Sequence, residues 1–111
     1  MTSHEPPPRE PYMLTILPSG TYQYKKLAGI PTLDELHTFI EGPLNLVPFF
    51  TKLGLSHCIA FCDENGKQKG LLPNRAAQAL WRLALGRPIT EDHLVGPITI
   101  VVGDRAFLDH M

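Results

Sequence analysis

Cysteine is almost absent from this chain: Cys58 and Cys62 are the only two among 111 residues. Both fall in the apolar run HCIAFC. On an extended strand, residues four apart stand about 13 Å apart at Cα, whereas a disulfide needs about 7 Å or less. A bridge is excluded in that conformation, and reduced, buried thiols in a cytoplasmic protein are expected. An excess of either charge is also lacking. Ten Lys and Arg against eleven Asp and Glu leave a formal net charge of −1, and no run of like charge exceeds two residues. Without a basic stripe, no nucleic-acid partner is expected. Aromatic residues make up 8%, with no basic surround, which argues against a base-stacking platform. No long apolar run occurs and the start, MTSHEPPPREP, is polar, so neither a signal peptide nor a membrane segment is expected.

Proline, by contrast, is plentiful at the start. Residues 1–11 hold Pro6, Pro7, Pro8 and Pro11 without apolar periodicity, which predicts a disordered leader. The remainder, residues 12–111, suits one domain, and a hydrophobic content of 43% is enough for a core.

The apolar patterning then orders the elements. Residues 12–17 (YMLTIL) and 21–27 (TYQYKKL) flank the turn Pro18-Ser19-Gly20 and predict a hairpin with Tyr22 and Tyr24 on one face. Thr32-Leu33-Asp34-Glu35 fits a capping box. Leu33, Leu36, Phe39 and Ile40 would share a helical face, with Gly42 as the stop. Residues 44–50 (LNLVPFF) read as an edge strand that bulges or ends at Pro48, and 51–56 as a connection. Residues 57–62 read as a strand covered on both faces. Asn65-Gly66 marks a turn, with a brief strand returning over 67–72. Asn74 caps a second helix closed by Gly86, and Thr90-Glu91-Asp92 can cap a single turn. Residues 97–102 (PITIVV) form the last strand, and Gly103-Asp104 starts a final half-turn. The fold class is therefore α+β: a mixed or antiparallel sheet of about five strands with two helices, order ββαββαβ, the helices mainly on one face.

The candidate chemistry gathers where the second helix begins. Arg75 puts positive charge at the positive end of a helix dipole, an unfavourable placement unless negative charge is near. Asp63 or Glu64 of the preceding turn can supply it, or an external anion held by Arg75 and the amides after Asn74. Lys67 and Lys69 add charge suited to a phosphate, and the Asn74 side chain can cap the helix or bond a ligand. These four are the candidate ligand site. The stretch lacks the Gly-Lys-Ser/Thr ending of a nucleotide-binding phosphate loop. No metal site is expected, because His57 and Cys58, adjacent on a strand, face opposite ways and cannot converge with Cys62. No cofactor is expected either. Ser56 beside His57 carries no nucleophilic pattern, and a hydrolase using Asp63 or Glu64 is the weakest class. Phe49, Phe50 and Trp81 are candidates for the core or for a contact with another protein.

Four stretches carry a resemblance. They are Glu41-Gly42-Pro43-Leu44-Asn45-Leu46-Val47-Pro48, Asp63-Glu64-Asn65-Gly66-Lys67, Gly70-Leu71-Leu72-Pro73-Asn74-Arg75-Ala76-Ala77 and Val95-Gly96-Pro97-Ile98-Thr99-Ile100-Val101-Val102-Gly103. The chain, over about residues 30–103, resembles a family of uncharacterised small proteins from bacteriophages, plasmids and bacteria. That family shows an E-x-V-P strand, then a D-E-x-G-K-x-x-G-L-P-x-N-R-x-A segment and a G-x-x-x-V-V-G strand. Pro43-Leu44-Asn45 and Leu72 depart from its pattern. The resemblance implies a protein of mobile elements that acts against host defence, by capturing a small signalling molecule or by blocking an enzyme. The resulting expectation is a non-enzymatic binding protein for an anionic small molecule such as a nucleotide, with self-association possible. The alternative is a protein–protein interaction module that inhibits or regulates a host protein.

Overall fold

The structure, a computed structural model, describes residues 10–89 and 92–111. The expected leader therefore lies outside the described residues except for Glu10 and Pro11, as do Thr90 and Glu91 of the expected capped turn.

Six strands form one antiparallel sheet: β1 (Tyr12–Ile16), β2 (Tyr22–Lys26), β3 (Leu44–Leu46), β4 (Lys52–Leu53), β5 (Ser56–Asp63) and β6 (Ile98–Val102). Three helices join them: α1 (Leu33–Leu36), α2 (Arg75–Leu85) and α3 (Arg105–Leu108). The spatial order is β2-β1-β6-β5-β3, with β4 also on β5. The architecture is thus α+β with an antiparallel sheet, as the patterning predicts. Among the described residues no helix is long and apolar enough to cross a membrane.

β6 sits at the centre because every residue in it is β-branched and buried. Its alternating sides feed two cores. Ile98, Ile100 and Val102 join Ile16, Phe50, Ala60 and Trp81 under α2. Val101 joins Met13, Leu27, Leu36 and Leu108 on the other face. The helices therefore lie on both faces, not mainly on one. The reason is in β5 and β6, which offer apolar side chains in both directions and leave neither side for water.

Other departures are local. The capping box of α1 forms: Thr32 Oγ1 accepts from the Glu35 amide at 3.1 Å, and Glu35 Oε1 from the Thr32 amide at 3.0 Å. The helix nonetheless stops after Leu36, well before Gly42. Gly42 is needed for another reason, since a Cβ there would overlap the Asp63 carboxylate. No strand returns over 67–72. Residues 64–70 instead wind through turns, with Lys69 N–H donating to Asn65 O at 3.0 Å and Leu71 N–H to Gly66 O at 3.0 Å. The left-handed glycine there is Gly70 (φ 71°), while Gly66 packs beside Val95.

β3 ends at Leu46 ahead of Pro48, on the edge of the sheet. The chain then bulges out and rejoins the same edge of β5 as the two-residue β4, part of the segment expected to be a plain connection. Phe49 takes the bulge with φ 62°, the only non-glycine residue with positive φ among the described ones.

Candidate functional site

The start of α2 is built from buried polar groups. β5 ends in Asp63, whose side chain is almost fully buried and accepts three bonds. The Asn65 amide donates to Oδ1 at 2.8 Å. The Gly42 amide (3.2 Å) and Lys69 Nζ (2.6 Å) donate to Oδ2. Burial alone would raise the pKa of this acid. Lys69 and the two amides outweigh it and hold the carboxyl below its ordinary value. Lys67 reaches the other way and pairs with Asp92.

Asn74 is 1% exposed, and its side chain is fully committed. Oδ1 accepts from the Ala77 amide at 3.1 Å, capping α2. Nδ2 donates to Ile16 O (2.8 Å) and Gly96 O (2.9 Å). Its own amide donates to Leu94 O at 2.9 Å. Asn74 thus ties helix, hairpin and β6 approach together, with both amide hydrogens spent. Arg75 follows it into solvent, exposed, and forms no ion pair among the described residues. Neither internal carboxylate expected to meet it does so: Asp63 pairs with Lys69, and Glu64 is exposed and forms no ion pair among the described residues.

The four residues expected to hold an anion do not form one pocket. Lys67 lines a cleft of about 140 Å³ with Cys62, Asp92 and His93. Lys69 lines another, of about 190 Å³, with Phe39, Glu41 and Asp63. Asn74 is inside the fold and Arg75 outside it.

Both cysteines are free. Burial pushes the Cys58 thiol up to about 12, and its Sγ donates to Phe50 O at 3.5 Å. Burial, then the neighbouring Asp63 charge, also raises Cys62. Neither is an activated nucleophile. Among the described residues no three His, Cys, Asp or Glu side chains gather as a metal would require.

The aromatic candidates separate clearly. Phe50 (1% exposed) and Trp81 (3%) are core residues. Trp81 Nε1 donates to Pro48 O at 2.9 Å, anchoring one side of the bulge. The other side is held by Val47 N–H to Ala60 O (2.9 Å) and Cys58 N–H to Thr51 O (3.0 Å). Between these anchors Phe49 projects, 73% exposed. Beside it runs an apolar groove of about 500 Å³, lined by Leu46, Ile59, Phe61 and Met111 among others. Leu46 and Leu55 are exposed nearby in the chain, and neither stands out in the sequence. Pro48 between apolar residues was the one signal that the strand would break there.

The fold places this chain in the α+β class with an open antiparallel sheet. Searches of protein-family models, of curated proteins and of solved structures gave no match to it.

Proposed function

We propose that this protein is a non-enzymatic interaction module that regulates another protein by contact, with Phe49 as the residue that seats on the partner. The observation that carries this is its backbone. A side-chain-bearing residue in the left-handed region costs about 1–2 kcal/mol, and the phenyl ring recovers little of that inside the chain, because most of it faces water. Strain held in place by Trp81, Val47 and Cys58, around an exposed aromatic side chain, is what a contact site looks like before its partner arrives. The resemblance to small proteins of mobile elements makes a host protein the natural partner.

Phe49→Gly tests this, since it removes the ring and relieves the backbone together. The variant should melt a few degrees higher than the parent, yet lose the stoichiometric partner that the parent retains on affinity purification from the cells that make it. Retention of the same partner at the same affinity would overturn the reading. The small-molecule reading is left with Arg75 as its one unengaged cation. Native mass spectrometry of the purified protein would favour it by showing a retained anion that Arg75→Ala loses.

A further inference from the structure

α2 covers only part of its face of the sheet. Beyond it, over the β1–β2 hairpin, lies an apolar hollow of about 330 Å³. Its floor is Leu14 and Ile16, one wall is Tyr22, and the other is Ala76, Ala79 and Leu80 of α2. Tyr24, directly across from Leu14 and tilted against Tyr12 at 5.2 Å, extends the tyrosine wall and is itself largely exposed.

The helix side of the hollow has a pattern of its own. Ala76, Ala79, Leu80 and Leu83 occupy positions i, i+3, i+4 and i+7, the spacing of a face that packs on a second helix. Ala76 and Ala79 are exposed and Leu83 is 78% exposed, so among the described residues nothing covers these three. The two alanines leave room for close approach of another helix axis. Arg75 and Arg82, seven residues apart, lie two turns apart along one flank of the same stripe. Both are exposed and form no ion pair among the described residues. In helix pairs, charges on such flanking positions select the partner. α2 (RAAQALWRLAL) contains no acidic residue, so a second copy of α2 would offer these arginines no carboxylate.

We infer that the hollow between α2 and the β1–β2 hairpin receives an amphipathic helix of another protein, with apolar residues on its inner face and carboxylates seven residues apart facing Arg75 and Arg82. This surface does not include Phe49, so it is tested apart from the contact proposed above.

The probes are two synthetic amphipathic peptides of about 18 residues, long enough to hold helical structure. Both carry the same leucines at i, i+3, i+4 and i+7. One has glutamates seven residues apart on the flank, the other lysines there. Fluorescence anisotropy should show the acidic peptide binding about tenfold tighter or more, the gap narrowing with added salt. Amide shifts in the 15N-labelled protein should move at Ile16, Tyr22, Ala79 and Leu83. The double variant Arg75→Glu, Arg82→Glu should reverse the preference, and Leu83→Asp should abolish binding of both peptides while leaving the melting temperature unchanged. Equal binding of the two peptides would overturn the inference, as would no reversal by the charge-swapped variant or shifts confined to Phe49. Preferential capture of phosphatidylserine vesicles would reassign the face to a membrane. A dimer in sedimentation that Leu83→Asp dissolves would reassign it to a second copy.

Discussion

Asp63 closes β5 with its carboxylate out of water and three donors aimed at it. Its folded pKa lies below the ordinary value, and an unfolded carboxyl titrates near ~3.9. The sign follows: the protein's stability from this group is complete above the unfolded value and is lost as pH falls through the folded one. Denaturant melts from pH 6 downward should therefore be flat at first, then decline below about pH 4. Asp63→Asn should make that decline shallower, leaving the part due to Asp92, whose carboxyl is also held below its ordinary value, and cost about 2–3 kcal/mol at neutral pH, the scale of hydrogen bonds to a charged group. Gly42→Ala should cost about 1–3 kcal/mol, because the new methyl group displaces the same carboxylate. This residue also marks how far the sequence is readable. Asp63 was visible as a charge near the helix start, but its partner was not. Which cation reaches it depends on residues 64–70 coiling back, and Lys69, not Arg75, is the one they return. Asn74 was readable as a cap. That its amide hydrogens would hold Ile16 and Gly96, both distant in sequence, follows only from the tertiary arrangement.

Elements with strong local signals came out as the patterning predicts. β6 is all β-branched, the capping box starts α1, and Gly86 ends α2 in the left-handed conformation. Elements decided by distant contacts did not. α1 has only a short apolar stripe and exposes Leu33, so nothing extends it past Leu36. The β3–β4 bulge depends on Trp81 gripping Pro48. β6 itself contains a polar surprise: Thr99 is buried and its hydroxyl meets that of Thr15 on β1 at 2.9 Å. A pair of this kind has an asymmetric energetics. Thr99→Val or Thr15→Val alone leaves a buried hydroxyl without its partner and should cost about 1–3 kcal/mol. The double variant replaces both with methyl groups of the same shape and should recover most of that loss. Urea titrations of the four proteins would measure the coupling, and additive single effects would show that the bond contributes nothing specific.

At the scale of the molecule, one strand belongs to two cores. Ile100 packs under α2 while its neighbour Val101 packs toward α1 and α3. The two cores should accordingly melt as one. Ile100→Ala and Val101→Ala should each lower a single shared transition, the first by about 2–5 kcal/mol and the second by somewhat less. Hydrogen exchange should show amides on both faces losing protection together. Separate transitions for the two faces would contradict that.

The place of β6 also constrains how the chain reaches this state in the cell. The central strand comes after the other five in the chain, so a ribosome must make the hairpin and the β3–β5 unit before the piece that joins them exists. Until then each unit exposes the apolar edge meant for β6. A nascent chain in that condition is a natural client for chaperones, and a message truncated ahead of Ile98 would yield an aggregating fragment, not a smaller working protein.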